Sequence, residues 1–304
     1  MNVSWKKYMK VGLVHFMAFP QTLKGEGPVL ETLEKVLSDD FFDVIEITTI
    51  KDQEVRQKAK RMLETSKITV TYGGQPVQLV NRLNINSFDA AERAMAVDRC
   101  KACIDEAADM GAIGAAFLSG PHPGPEKRKE ATEIVFDSLS QLCAHAAKLG
   151  DIKVVVETFD FDIDKKALIG PNAEAAALSA RLRAKHKNFG LMLDLSHLPL
   201  QHETIDEALN AAKDHLVHAH MGNCVMRDKN HPAYGDQHPR FGLPGGENDV
   251  PQVAEYIRTL IKVGYLKEGN PRILSFEVKP MADESSEVVL ANAKRTLRDA
   301  WELV

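Results

Sequence analysis

Four residues in the second half of the chain each close a short apolar run with a group able to hold a cation. Glu157 ends Val154-Val155-Val156-Glu157, and Asp194 ends Leu191-Met192-Leu193-Asp194. His220 ends Val217-His218-Ala219-His220, and Glu277 ends Leu274-Ser275-Phe276-Glu277. Burying one such charge alone is costly, but several acids gathered around a cation remove the objection. Three carboxylates and one imidazole form a mixed O/N donor set that suits Mn²⁺, Mg²⁺ or Co²⁺, with Zn²⁺ still open. One divalent ion is expected, Mn²⁺ first. Such an ion stabilises the negative charge that develops when a proton leaves the carbon next to a carbonyl. Carboxylates on either side of a substrate remove and return that proton. His218 lies two residues before His220 on the same side of its strand, so either imidazole is a candidate ligand. His220 is preferred because it is level with the other three, which leaves His218 one layer deeper.

These residues need elements that bring the four run-ends together. Apolar runs are expected as strands at Val11–Phe16, Asp43–Thr48, Lys67–Tyr72, Ala112–Leu118, Lys153–Thr158, Gly190–Leu195, Leu216–Met221 and Ile273–Val278. Most lack polar alternation, as strands covered on both faces do. Helical patterns follow nearly every one, including Ala90–Met110, Glu126–Leu149, Ala173–Lys185 and Asp283–Leu303. Gly111, Gly150 and Gly264 stand where helix C-caps belong, and Pro28, Pro125, Pro171 and Pro251 stand at first turns. Eight β–α pairs with no linker between them predict a single-domain α/β protein, a closed (β/α)8 TIM barrel spanning 1–304. A doubly wound open sheet is the alternative. It would show a Gly-rich turn after the first strand, where this chain has Phe16-Met17-Ala18-Phe19-Pro20.

Composition narrows the functions. With 38 Lys and Arg against 43 Asp and Glu, the net charge of −5 argues against a nucleic-acid partner. No run reaches the length of a membrane span, and no signal peptide is visible, so a cytoplasmic protein is expected. The four cysteines are expected to be reduced; Cys100-Lys101-Ala102-Cys103 has redox or metal spacing but reads as buried helix thiols. Lys127-Arg128-Lys129 and Arg183-Ala184-Lys185-His186-Lys187 read as solvated helix faces.

The series Glu157…Asp194-x-x-His197…His218-x-His220…Glu277 resembles the xylose isomerase-like barrels. Those include ketose 3-epimerases, hydroxypyruvate isomerases, inosose dehydratases, large subunits of enzymes that cleave 3-oxo C-glycosides, and apurinic-site endonucleases. The resemblance implies one ion held by Glu157, Asp194, His220 and Glu277, with Glu157 and Glu277 exchanging the proton through an enediolate. It implies a substrate or metal-supporting contact for His197. Arg227, seven residues beyond His220, is a candidate substrate clamp, although the epimerases place theirs six residues on. Asp236-x-His238 resembles extra metal ligands of the apurinic endonucleases. Strand three, however, ends Thr71-Tyr72-Gly73-Gly74 without a histidine, so His238 is expected to touch the sugar or order its loop.

His122, in the proline-stiffened loop Ser119–Pro125, and His15, at the end of strand one, are further substrate-binding candidates. If His15 and Glu46 both point inward, they pair or touch substrate. The interval from His220 to Glu277 is 57 residues and holds a long Gly- and Pro-rich loop at Gly222–Asp249. The epimerases have a shorter interval, so the expectation leans toward a bulkier substrate such as an oxidised glycoside. Three outcomes of the same deprotonation stay open: isomerase, epimerase, or β-elimination lyase cleaving a 3-oxo-glycoside with a partner subunit. A non-catalytic sugar-binding subunit and, less favoured, an apurinic-endonuclease-like hydrolase are the alternatives. A homo-oligomer or a complex with a smaller subunit is expected.

Overall fold

The computed structural model describes residues 4–304. Its eight strands are β1 Met9–Val14, β2 Val44–Ile47, β3 Thr69–Gly73, β4 Gly114–Phe117, β5 Lys153–Glu157, β6 Phe189–Asp194, β7 Leu216–Gly222 and β8 Arg272–Glu277. Each pairs in parallel with the next and β8 closes on β1, so the sheet is a barrel and has no edge. All eight expected strands are present, with no end shifted by more than two residues.

Helices pack outside the sheet, and their ends follow the local chemistry. Asp89 accepts from the amides of Ala91 and Glu92 and so starts the helix Ala90–Asp109. Thr204 and Glu207 form a capping box that starts Ile205–Ala212. Gly111, Gly150 and Gly264 take positive φ just past helix ends. Cys100 and Cys103 are buried in Ala90–Asp109, where burial raises both thiols, Cys103 to about 11. They are inert helix thiols, as their sequence context suggested. Three short helices, His15–Ala18, Gln75–Val80 and His197–Leu200, directly follow β1, β3 and β6 and build the C-terminal face.

The ladder sets the depth of the candidate ligands. Asp194 is level with His220, and Gly222 with Glu277. A register shift between β6 and β7 leaves Val217 without a partner, since Leu191 pairs with Leu216 and Met192 with His218. This bulge keeps His218 and His220 in phase with the inward-facing Met192 and Asp194. Gly190 makes room for it: a Cβ there would lie 2.4 Å from the Val217 methyls. No helix among the described residues is long and apolar enough to cross a membrane.

Candidate metal centre

At the C-terminal mouth, Glu157, Asp194, His220 and Glu277 each offer one ligand atom, and these atoms all lie within 4.8 Å of one another. All four side chains are buried. Asp194 is fixed by the Ser196 amide, which donates to its Oδ1 at 2.6 Å. Glu157 is fixed by Gln75, whose Nε2 donates to its Oε2 at 2.8 Å. The other oxygen of each, Asp194 Oδ2 and Glu157 Oε1, is buried with no hydrogen-bond partner. Buried oxygens are left bare so rarely that two in one cluster need a reason, and a cation between them supplies it. The donor set and the two orphaned oxygens therefore fit a divalent ion.

Electrostatics agree. Burial, and next the charge of Glu277, push the Glu157 carboxyl up to about 8, and burial raises Asp194 as well. Burial also opposes charge on Glu277, but His238 and His220 outweigh it and hold this carboxyl at about 2. The ion-free cluster thus keeps protons that a cation would displace.

Glu46 on β2 sets the state of His220. Its Oε1 lies 2.7 Å from Nε2 of His218 and 3.0 Å from Nε2 of His220. A carboxylate only accepts, so both imidazoles donate from Nε2. His220 is left with Nδ1 facing the cluster, 2.6 Å from Glu277 Oε2. Carboxylate behind imidazole is the arrangement that orients a metal-binding histidine. Burial opposes charge on both partners. Even so, the imidazoles hold Glu46 well below the carboxylate range, and Glu46 with Glu277 holds His220 well above its ordinary value.

The loop after β7 forms the cluster's second wall. Asp236 Oδ1 accepts from His197 Nε2 at 3.0 Å and from His238 Nε2 at 2.8 Å. Its Oδ2 meets Lys165 Nζ at 2.7 Å. His197 also donates Nδ1 to the Thr158 carbonyl at 2.9 Å, and its ring packs tilted against Phe159. Although burial opposes its charge, Asp236 raises His197 to about 10; His238 rises to about 9 for the same reason. Gly222 keeps the wall tight, since a Cβ there would lie 3.0 Å from both Asp194 Oδ1 and His238 Nδ1.

A cavity of about 240 Å³ opens over the cluster, with Glu157, His220, Asp236, His238, Glu277 and Lys279 among its polar lining. Phe16, Met17, Leu23, Pro76 and Leu79 form an apolar side. His197 supports His238 through Asp236 from just behind this lining.

Three expected substrate contacts lie elsewhere. His15 begins a helix instead of ending β1, so its ring turns outward to Thr32 Oγ1 at 2.9 Å, and burial pushes it down to about 3. It does not pair with Glu46. Arg227 pairs with Glu247 on the surface with 85% of its side chain exposed, and it does not line the cavity. His122 accepts from the Gly124 amide within its own loop and is also outside the cavity.

Gln75, Lys165 and Lys279 were not singled out from the sequence, nor was Glu46 as the partner of His218 and His220. Lys279 had a signal, because it follows Glu277 by two residues and extends the same face. Gln75 follows Gly73-Gly74 at a strand end, a weaker mark. Lys165 had none: Asp160 accepts from the amides of Ile163, Asp164 and Lys165 and folds the turn that presents it.

Comparison with known proteins agrees on the fold. The sequence profile of the xylose isomerase-like TIM barrel family matches residues 38–298. No curated protein matches the chain. Among solved structures, a D-tagatose 3-epimerase-like protein superposes with a TM-score of 0.71 at 18% identity, covering 97% of this chain and 99% of its own. The 3-keto-D-glucoside 4-epimerase YcjR from E. coli gives 0.63 at 17%, covering 95% and 99%. The IOLI protein, solved with a zinc atom, gives 0.70 at 14%, covering 96% and 98%. At such identities these likenesses speak to the fold, whereas the profile match covers most of the chain. The protein belongs to the xylose isomerase-like TIM barrel family.

Proposed function

We propose that the protein is a divalent-metal-dependent sugar isomerase or epimerase that exchanges the proton next to a carbonyl. The observation that carries this reading is the buried four-residue cluster with its two unpartnered oxygens, Glu157 Oε1 and Asp194 Oδ2. Similarity to sugar epimerases supports the substrate class. A zinc-containing relative supports an ion without fixing its identity, for which Mn²⁺ remains our expectation.

Glu157, Asp194, His220 and Glu277 would hold the ion. When bound, it polarises the substrate carbonyl and offsets the charge that builds on the neighbouring oxygen. Glu157 and Glu277 stand on β5 and β8, on different sides of the cluster. One would take the proton and the other return it to the opposite face of the same carbon in an epimerase; in an isomerase the proton would go to the former carbonyl carbon, while a proton passes from the neighbouring hydroxyl to the former carbonyl oxygen. Gln75 orients Glu157, and His238 with His220 holds Glu277 ionised as the stronger acid of the pair. His238, Lys165 and Lys279 line the polar side of the cavity and meet the sugar hydroxyls. Phe16, Met17 and Leu79 exclude water from the other side.

The apolar side favours a second reading within the same chemistry. A 3-oxo-glycoside would set its aglycone against Phe16, Met17 and Leu23, and β-elimination would release it. A homo-oligomer or a smaller partner subunit belongs to this proposal, and sedimentation measures it. The testing experiment is solvent-deuterium exchange with Mn²⁺ over a panel of ketoses and 3-oxo-glycosides. We expect label at the carbon next to the carbonyl of at least one compound; aglycone release would select the lyase. No label in any compound with the ion bound would overturn the reading.

A further inference from the structure

The opposite mouth of the barrel holds a second cavity, of about 270 Å³, whose chemistry is the reverse of the first. Lys10 on β1, Lys153 at the start of β5 and Arg272 at the start of β8 converge on it. No acidic side chain lines it, and none of the three cations has an ion-pair partner among the described residues. In a chain of net charge −5 that is the opposite of the average. Like charges gathered without counter-charge repel, so the arrangement gains from an anion. Deeper in the cavity, Thr71 is buried and its Oγ1 has no hydrogen-bond partner. His218 closes the cavity toward the metal centre.

The space exists because the inner layer is underfilled. Barrels of this kind normally pack bulky branched side chains there. Here Gly114 contributes none, and a Cβ added to it would meet nothing closer than the Lys153 carbonyl at 3.3 Å. Two ammonium groups and a guanidinium around one opening suit an oxyanion that accepts several charge-assisted hydrogen bonds, which phosphate does best. The unpartnered Thr71 hydroxyl further in suits a hydroxyl-bearing body.

We propose that the N-terminal mouth of the barrel binds a small phosphate-bearing anion. Lys10, Lys153 and Arg272 hold the phosphate, and Thr71 and His218 meet the part of the ligand that enters the barrel. The site is separate from the metal centre and does not depend on the proposed reaction.

The test is calorimetric titration of the full-length protein with inorganic phosphate, with glycerol 3-phosphate and with glycerol. Both phosphates are expected to bind and glycerol is not. Lys10→Ala with Lys153→Ala should weaken phosphate binding at least tenfold. Lys129→Ala with Lys229→Ala, which removes equal charge from exposed positions elsewhere, should change it less than twofold. Arg272→Gln is the second probe if the double variant does not fold. Gly114→Val should weaken glycerol 3-phosphate more than inorganic phosphate by filling the inner space. Tighter binding of glycerol 3-phosphate identifies a phosphate ester as the ligand class; equal binding identifies phosphate itself. No heat of binding at millimolar phosphate would overturn the proposal. So would binding retained in full by both the Lys10/Lys153 and Arg272 variants.

Discussion

The two mouths of this barrel are built from the same eight strands, yet acids close the strands at one mouth and bases open them at the other. At the C-terminal mouth the strands end in Glu157, Asp194, His220 and Glu277, a cluster with bare carboxylate oxygens. At the N-terminal mouth they begin with Lys153 and Arg272, near Lys10, with no acid among them. Between the two lie His218 and Glu46, linked to each other at 2.7 Å, and Glu46 also accepts from His220 at 3.0 Å. The contrast shows how one sheet presents different ionisable groups at its two ends. Lys153 and Glu157 stand on the same face of β5, so one strand offers a base at its first inward position and an acid at its last.

The largest expected effect comes from breaking the acidic end. Glu157→Gln or Glu277→Gln should lower the deuterium-exchange rate by about 10²–10⁴-fold, the range for a general acid or base, with circular dichroism unchanged. Glu157→Gln should still bind phosphate within twofold, because the two mouths are separate sites. Loss of phosphate binding in that variant would show that the ends are not independent.

Next in size is the link between them. Glu46→Gln removes the negative charge that holds two imidazoles and should weaken Mn²⁺ binding about 10–100-fold, as loss of an orienting partner does elsewhere. Titration with Mn²⁺ measures this without any activity.

A pH series sharpens the contrast further. In the ion-free protein the Glu157 carboxyl keeps its proton up to about 8, and Glu46 with Glu277 keeps His220 charged against the pull of burial. The ion must displace these protons, so apparent Mn²⁺ affinity should rise with pH toward 8 and fall below it, up to about tenfold per unit for each proton displaced.

The smallest effect concerns the loop wall. Asp236 raises His197 to about 10, above its unfolded value, so this pairing stabilises the fold in full below about 6.5 and is lost as pH rises through 10. Thermal unfolding of the ion-free protein should show a fall in Tm over that window, and Asp236→Asn should flatten it.

Much of this was legible in the sequence, for a physical reason. Strands covered on both faces read as unbroken apolar runs, so a Glu, Asp or His closing one stands out. Each closes its own run, which made Glu157, Asp194, His220 and Glu277 a set, although the ladder pairs only Asp194 with His220 and sets Glu157 against Met192 and Glu277 against Gly222. What was not legible depends on short-range geometry. The chain turns helical at His15 one residue after β1 ends, and that sends the ring to Thr32 instead of the cavity. Arg227 lies in a loop whose path is set by Asn223 and Asn248 bonding across its base, which no spacing rule reports. The bulge at Val217 is invisible without its partner Gly190, yet it keeps both histidines turned inward.

The central claim is one divalent cation shared by the ends of the last four strands. Crystals grown with Mn²⁺ and measured at the manganese absorption edge test it directly. A single anomalous peak bounded by Glu157, Asp194, His220 Nδ1 and Glu277 is expected. A map without a peak there, or with its only peak beside other residues, would contradict it.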